Sequence, residues 1–299
     1  MASQREVKTR IASFKNIQKI TRAMEAVSAA RLRRAEQRIE ALRPYADAVR
    51  RMTRQAAQDA GSEVSRLPLL HTHATEDRVG ILLVTADRGL AGAFNSQIIR
   101  TGLRAGTEIE SEGRAVVWYA SGRRGVSSLT FRGKTLAGAY TGFTDRPSYA
   151  DARRIAGDLM AAYIDGELDR VELIYNGYIS PLTQRVTREV LLPLASATIL
   201  GAQDTDAAAP QGPRPLVDYE PDAEELLAVL VPDYVETSLH RALLESTASE
   251  HGARMTAMRS ASENAGELIE DLALEMNRAR QAEITQEIME VVAGAESLV

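Results

Sequence analysis

The C-terminal stretch from Ser238 to Val299 has the pattern of hydrophobic and polar positions that is typical of one long helix. It contains no proline and is dominated by Ala, Glu, Leu, Met, Arg and Gln, which favour helices. Apolar or small side chains recur three or four residues apart, at Leu239, Leu243, Ala257, Ala261, Ala265, Leu268, Leu272, Met276 and Ala279. This narrow stripe predicts packing against a partner helix. About 60 helical residues would span about 90 Å, so we expect this helix to extend beyond a compact domain.

A second long helix is predicted at the other end of the chain, from Gln4 to about Gln58. Apolar residues again recur at spacings of three and four, at Ile11, Phe14, Ile17, Ile20, Met24 and Val27. Pro44 should kink this helix or end its first segment, because proline removes a backbone donor and clashes with the preceding turn. The two terminal helices are therefore expected to pair, and periodicity alone leaves the parallel and antiparallel arrangements open.

The middle of the chain alternates strand and helix patterns. Strands are predicted at 78–85, 115–120, 134–140, 171–178 and 184–192, and helices at 91–103, 121–129 and 149–164. Strands separated by helices favour a parallel or mostly parallel sheet with helices on its faces. The fold class is thus α/β with long helices: a small Rossmann-like domain between N- and C-terminal helices.

These patterns divide the chain into five segments. They are an N-terminal helix (1–60), a linker (61–77), the α/β domain (78–200), a connector rich in Pro, Ala, Gly and Asp (201–221), and a C-terminal helix (222–299) whose first turn Asp222 should cap. With 44% hydrophobic and 26% charged residues, the chain can form one large or two modest domains and is not of the disordered class.

Charge is unevenly distributed between the two ends. Residues 1–60 hold 14 Lys or Arg against 6 Asp or Glu, whereas residues 222–299 hold 5 against 16. Opposite signs favour pairing of the two helices, although exposed ion pairs contribute only about 0–1 kcal/mol each. The basic run from Arg31 to Arg38 is interpreted as a solvated face or a surface for an acidic protein. Nucleic-acid binding is disfavoured, because no aromatic residues interleave and the whole chain is acidic.

The first predicted strand ends in TADRGLAGAFN (Thr85–Asn95), a glycine-bearing turn that runs into a helix. A nucleotide phosphate could bind at such a helix N-terminus. However, Gly89 and Gly92 do not form the dinucleotide pattern, the P-loop Lys and Ser/Thr are absent, and Asp87 would repel an anion. We therefore favour a structural role in which Asp87 caps the following helix and the glycines permit a tight turn.

No residue set in the sequence indicates catalysis, a metal site or a cofactor site. The absence of cysteine excludes disulfides and thiolate chemistry. The histidines are expected to be structural: His71 and His73 in a surface loop without a nearby carboxylate, and His240 and His251 on the surface of the C-terminal helix.

Several motifs together resemble the gamma subunit of F-type ATP synthase. They are ITRAMEAVSAARLRRAEQ (20–37), VTADRGLAGAFN (84–95), DYEPD (218–222), SEHGARMTAMRSASENAGELI (249–269) and NRARQAEITQEIMEVVAGAESL (277–298), in the order of that family. The resemblance implies an antiparallel coiled coil that enters a ring of alpha and beta subunits, with the tip at 291–299 deepest. It also implies a central rotor shaft that couples ion-driven rotation of the c-ring to ATP synthesis or hydrolysis on the beta subunits, without an active site of its own.

The resemblance further assigns contact residues and partners. Beta-subunit contacts fall on Met24, Arg254, Gln281, Thr285 and Glu287, and the foot near the c-ring and the epsilon subunit includes Tyr219 and Glu220. One copy per complex, no cofactor, no nucleic acid and no small-molecule substrate are implied. The segment at the start of the chain lacks the apolar core of a secretory signal, so we expect a peripheral protein on the cytoplasmic face of a bacterial membrane.

Two other classes of function stay open from the residues alone. One is an enzyme whose α/β domain binds a nucleotide and whose helices dimerise, which tight binding of ATP, ADP or NAD to the isolated chain would favour. The other is a coiled-coil scaffold, which predicts stable self-association.

Overall fold

A computed structural model describes residues 4–60, 67–194 and 222–296. Five helices and five strands follow one another along these ranges: α1 (Gln4–Ala60), β1 (Arg78–Val84), α2 (Phe94–Ser111), β2 (Ala115–Ser121), α3 (Arg123–Phe131), β3 (Leu136–Tyr140), α4 (Tyr149–Ile164), β4 (Arg170–Ser180), β5 (Thr183–Leu192) and α5 (Ala223–Glu296). The order of helix, α/β domain and helix is therefore confirmed. Among the described residues, no helix is both long and apolar enough to cross a membrane.

The chain divides into two compact units. The helix-pair unit combines Met1–Ala30 with Arg254–Val299, and the α/β unit runs from Arg31 to Ala253. Each long helix contributes its outer part to the first unit and its inner part to the second.

The sheet of the α/β unit has the strand order β3-β2-β1-β4-β5. The first four strands in this order are mutually parallel, with Leu82 of β1 beside Tyr119 of β2 and Leu173 of β4. β5 pairs antiparallel with β4 as a hairpin. The sheet is thus mostly parallel, as predicted, because helical crossovers join all strands except the last pair.

Alternating residues of β1 separate the core into two layers. Leu82 and Val84 pack into one cluster with residues of α4 and of the first turns of α5, including Leu227 and Leu239. Ile81 and Leu83 face the opposite cluster, which contains residues of α2 and α3. The start of α5 is therefore part of the α/β core, and Asp222 caps it by accepting a hydrogen bond from the Glu225 amide at 3.0 Å, as predicted.

Pro44 does not end the first helix. α1 continues through it, so of the two expected alternatives, a kink or an end of the first segment, the end is wrong. The residues that follow Pro44 are held by packing, since Val49, Ala56 and Ala57 are buried. Tertiary burial therefore outweighs the single backbone hydrogen bond that proline removes.

Part of the segment interpreted as a linker also packs into the core. Leu69 and Leu70 are buried in the same cluster as α4, and the Leu194 amide donates to the Leu69 carbonyl at 3.1 Å. The three leucines of this otherwise mostly polar stretch, Leu67, Leu69 and Leu70, were the signal in the sequence for this contact.

Candidate functional site

The helix-pair unit is an antiparallel pair of helices. Gln18 of α1 donates to the Ser262 carbonyl of α5 at 3.3 Å, and Arg22 donates to the Ser262 hydroxyl at 3.3 Å. Glu25 accepts from Arg259 at 2.9 Å. Since residue numbers rise along α1 while their partners on α5 fall, the two helices run in opposite directions.

The buried positions of this unit hold small and polar side chains together with the apolar Val7, Ile11 and Met258. Thr21 and Ser28 of α1 are buried, as are Ser262 and Ala265 of α5. Thr21 and Ser28 bond to carbonyls of their own helix, which satisfies their hydroxyl groups. Small residues let helices approach closely, which agrees with the predicted position of Ala265 on the stripe that packs against a partner helix.

Several apolar residues in the same stretch of α1 are exposed instead. Ile17, Ile20 and Val27 are 46%, 59% and 52% exposed, and Met24, on the same stripe, is half-buried. Their spacing of three and four residues places them on one face of the helix. We call this set the α1 stripe. An apolar face that the chain leaves in water is typical of a protein-binding surface.

A similar face lies near the end of the described part of α5. Ile284, Ile288 and Val291 are 47%, 57% and 71% exposed. The helical period places the exposed Gln281 and Thr285 beside this apolar row, and the Thr285 hydroxyl donates to the Gln281 carbonyl at 2.8 Å. Glu287 is also exposed and lies on the flank of the row.

The remaining predicted contact residues are placed differently. Arg254 is only 6% exposed, so little of its side chain is available to a partner in the folded chain. Tyr219 and Glu220, predicted for the foot, lie outside the described residues, as does the end of the predicted tip beyond residue 296.

The turn after β1 is built around Asp87, but not as predicted. Asp87 does not cap α2, which begins after Ala93 without a side-chain cap. Its carboxylate instead accepts from the amides of Arg123, at the start of α3, and of Gly142 and Thr144, after β3. In a parallel sheet the carboxyl ends of neighbouring strands lie together, so the nearest donors belong to the elements that follow β2 and β3.

The electrostatics of Asp87 follow from these bonds. Burial opposes its ionisation, but hydrogen bonds from Arg123, Thr144 and Gly142 outweigh burial and hold the pKa below its usual value. The turn itself requires left-handed backbone at Gly92, with φ of 53°, and at Leu90, with φ of 63°. Asp87 thus places a carboxylate that favours its ionised form at this turn, and its negative charge disfavours a nucleotide phosphate there.

Three of the four histidines are less exposed than the sequence suggested, whereas His71 is exposed as expected. His73 does have a carboxylate neighbour, since its Nδ1 lies 2.9 Å from Asp169 Oδ1, and its ring stacks on Tyr163. His251 is only 1% exposed and is not on the surface of its helix. His240 is half-buried beside the Tyr149 ring, and burial lowers its pKa. Sequence spacing could not show these contacts, because their partners are distant in the chain.

Comparison with known proteins identifies the family. A family model described as ATP synthase matches residues 3–298. A relative from Rubrobacter xylanophilus, named ATP synthase gamma chain, is 44% identical over 298 residues that cover 100% of this chain and 99% of the relative. The chain belongs to the ATP synthase gamma family. A second gamma chain, from Streptomyces avermitilis, is 42% identical over 99% of this chain and 96% of its own length.

Solved structures agree with this gamma-family assignment. The chain is similar to one in the central stalk and c-ring structure of the Tetrahymena thermophila mitochondrial ATP synthase, with a TM-score of 0.60, 27% identity, and coverage of 81% of this chain and 99% of the other. A chain of the Euglena gracilis mitochondrial ATP synthase has a TM-score of 0.67 at 16% identity, covering 99% and 94%. The second similarity supports the fold alone. Gamma chains are non-catalytic subunits of ATP synthase.

Proposed function

We propose that this gamma-family chain is the central rotor shaft of the F1 sector of an ATP synthase. It couples ion-driven rotation of the c-ring to ATP synthesis or hydrolysis at the beta subunits and has no active site of its own. Its partners are the alpha and beta subunits, the epsilon subunit and the c-ring, with one copy in each complex. The match to gamma chains over residues 3–298 is the observation that carries this proposal.

The exposed apolar faces support the same function. A shaft inside a ring must present surface that another protein covers, and the α1 stripe leaves Ile17, Ile20 and Val27 in water. Between residues 17 and 28 the buried residues of α1 are Thr21 and Ser28, so the outward stripe is the more apolar side of this stretch of α1. We therefore assign the α1 stripe, including Met24, to contact with the ring.

The remaining assignments connect individual residues and segments of the chain with particular partners. We assign Gln281, Thr285 and Glu287 to beta-subunit contact, since all are exposed beside an apolar row. Arg254 is assigned to the same contact on the resemblance alone. The foot near the c-ring and epsilon would consist of the α/β domain at 78–200 and the connector at 201–221, which includes Tyr219 and Glu220. The linker at 61–77 would join this foot to the helix at 1–60, and the connector would lead into the helix at 222–299. The complex would lie on the cytoplasmic face of a bacterial membrane.

The decisive experiment is an affinity purification of the tagged chain from membranes of its source cell. Mass spectrometry of the partners and an ATPase assay of the eluate give the readout. We expect to recover two homologous nucleotide-binding subunits, each in excess over the tagged chain. The eluate should show ATPase activity that the lone chain lacks. A chain recovered alone, or as its own oligomer with bound nucleotide, would overturn the proposal.

The α1 stripe provides a sharper version of this test. Ile17→Ser combined with Ile20→Ser should lower recovery of the ring about tenfold or more, because burial of each large apolar side chain contributes about 1.5–3 kcal/mol. Both residues are exposed, so the lone chain should keep its fold, which circular dichroism checks.

Phe131→Ser is the matched control for the α1 stripe. Phe131 is 89% exposed on α3, within the α/β unit, so the substitution removes a large exposed apolar side chain away from the α1 stripe. It should leave recovery of the ring unchanged. Equal recovery with the double variant and the control would contradict the assignment of the α1 stripe.

A further inference from the structure

The loop before β1 brings two histidines together. The ring centroids of His71 and His73, which we call the histidine pair, are 6.2 Å apart. The backbone of His71 is held on both sides, since its amide donates to the Leu67 carbonyl at 3.1 Å and its carbonyl accepts from the Tyr163 hydroxyl at 2.6 Å. Its side chain is exposed. The loop thus fixes the backbone that carries the pair and leaves the His71 imidazole accessible to solvent.

A carboxylate orients the second histidine. His73 Nδ1 lies 2.9 Å from Asp169 Oδ1, and Asp169 Oδ2 accepts the amides of Asp77 and Arg78 at 2.9 and 2.8 Å. Burial opposes ionisation of Asp169, but the hydrogen bonds from His73 and from the two amides hold its pKa below its usual value. An ionised carboxylate only accepts hydrogen bonds, so Nδ1 is the nitrogen that carries the hydrogen. The lone pair of neutral His73 is therefore on Nε2.

The His73 ring is also fixed in position. It stacks on the Tyr163 ring, with centroids 4.7 Å apart and planes inclined by 19°. Within the described part of the chain, no hydrogen-bond partner faces its Nε2, and the side chain is 24% exposed. An imidazole that donates from one nitrogen to a carboxylate and keeps a lone pair on the other is typical of a histidine that ligates a metal.

The separation of the histidine pair fits one shared ion. With Zn–N distances of about 2.0–2.1 Å, two imidazoles on the same ion have ring centroids about 5–6 Å apart. The observed 6.2 Å is close to this range, and a small rotation of the exposed His71 side chain closes the difference. Water would complete the coordination. Imidazole ligands suit zinc, nickel and copper ions, whereas magnesium and calcium prefer oxygen ligands.

A second set of ligand atoms in the chain is less suitable. Asp145, in the loop between β3 and α4, lies with Glu250 and His251 of α5 so that three ligand atoms are within 4.8 Å of one another. However, Arg31 Nη1 already donates to both oxygens of Asp145. Glu250 and His251 are only 2% and 1% exposed. A cation there would have to displace a guanidinium group and enter a nearly closed space.

We propose that the histidine pair binds a divalent transition-metal ion of the zinc or nickel class, with Asp169 as the positioning residue that orients His73. The site lies within the α/β unit, apart from the faces assigned to the ring, and goes beyond the proposed function. Because the ion binds the two imidazoles as the folded loop presents them, its binding stabilises the folded chain.

Isothermal titration of the purified full-length chain, without an affinity tag, tests the site with ZnCl₂ as the probe. We expect one Zn²⁺ per chain, with a dissociation constant below about 0.1 mM. Thermal unfolding followed by circular dichroism is the second readout, and saturating Zn²⁺ should raise the Tm. MgCl₂ at the same concentration should leave the Tm unchanged, because imidazole ligands do not suit Mg²⁺.

Substitution of either ligand should lower the Zn²⁺ affinity tenfold or more and remove the Tm increase. His71→Ala is the cleaner variant, since this side chain is exposed and its loss should leave the fold intact. Asp169→Asn keeps both imidazoles but should lower the affinity about 10- to 100-fold, the usual effect of losing the partner of a ligating histidine. Asp169→Glu should recover part of the affinity, because it keeps the carboxylate. Titrations are made at a temperature where circular dichroism shows each variant folded.

Two control variants place the ion. His240→Gln removes another imidazole of the α/β unit, and Asp145→Asn removes a ligand of the alternative set. Both should bind Zn²⁺ like the parent. Parental affinity in His71→Ala, lost binding in either control, or heat of binding only at millimolar Zn²⁺ would each refute the site at the histidine pair. Parental affinity in Asp169→Asn would refute the positioning role of Asp169.

Discussion

At the scale of single residues, Asp87 shows how one carboxylate can join three elements of a sheet protein. Its side chain is 8% exposed and accepts amides from the start of α3 and from the loop after β3. Because these bonds favour the ionised form, its pKa in the folded chain lies below the usual value. A depressed pKa contributes stability that is present above the unfolded pKa, about 3.9, and is lost as pH falls through the folded pKa.

We therefore predict that Asp87→Asn destabilises the α/β unit and flattens its acid sensitivity. At pH 7 the loss should be about 1–3 kcal/mol, because the amide donors lose a charged acceptor. Between about pH 5 and pH 2 the difference from the parent should shrink, since the parent carboxylate becomes protonated. Urea unfolding followed by fluorescence of Trp118, the one tryptophan of the chain, measures both effects in this unit.

Asp47→Asn is the control for Asp87. Asp47 has a 55% exposed side chain and lies 4.0 Å from Arg50, so its replacement should change stability by less than about 0.5 kcal/mol. A loss in Asp87→Asn that is the same at pH 3 as at pH 7 would show that shape, and not charge, makes this residue important.

Single residues were the scale at which the sequence was least informative. TADRGLAGAFN marked Asp87 as structural, but its partners Gly142 and Thr144 follow β3, more than fifty positions later. His251 was assigned to a helix surface because its neighbours in sequence are polar, whereas the loop that reaches it carries Asp145. Such contacts depend on which loops the sheet order brings together, and local patterns do not encode that order.

At the scale of elements, the sequence was much more informative. α4 was predicted with its observed bounds from its amphipathic pattern, and in the structure a capping box of Ser148 and Asp151 starts the helix. α2 was placed three residues too early and ended too soon, since the turn after Asp87 uses residues that also suit a helix, and small residues such as Gly106 obscured its later part. A sequence pattern confined to one helix was thus sufficient to predict the bounds of that helix, whereas a pattern shared with a neighbouring turn was not.

The glycines of α2 lead to a prediction about element packing. A Cβ added at Gly106 would lie 2.6 Å from the ring of Trp118 on β2, so this glycine sets how closely α2 approaches the sheet. Gly106→Ala should therefore destabilise the chain by about 1–3 kcal/mol, the usual cost of overpacking, despite the higher helix propensity of alanine. Thermal unfolding followed by circular dichroism gives the measurement.

Gly157→Ala should change the stability of the chain in the opposite direction. Gly157 is an exposed position inside α4, and a Cβ there would meet nothing within 4 Å. Removal of backbone freedom should stabilise the chain by about 0.5–1 kcal/mol. If both variants shifted stability in the same direction, helix propensity would outweigh the close contact with Trp118, and the α2 packing argument would fail.

At the scale of the whole molecule, the two units differ in what holds them together. The α/β unit has two apolar clusters on opposite faces of its sheet. The helix-pair unit buries few large apolar side chains and leaves the α1 stripe and the row of Ile284 and Ile288 exposed. Because helix stability in proteins comes mostly from packing of an apolar face, the helix-pair unit of the lone chain should open more readily than the sheet.

Hydrogen exchange followed by mass spectrometry tests this difference and the ring contacts together. In the lone chain, amides of residues 4–30 and 254–296 should exchange faster than those of β1 and β4, which lie in the centre of the sheet. In the purified ATP synthase, exchange should slow about tenfold or more around Ile17–Val27 and Gln281–Ile288, because a partner that binds only the folded form stabilises it. β1 serves as the internal control, since its exchange is limited by the core of its own unit. Slowing at β1 without slowing at the two helical segments would mean that the ring does not contact these faces, and Gln281, Thr285 and Glu287 would lose their assigned role.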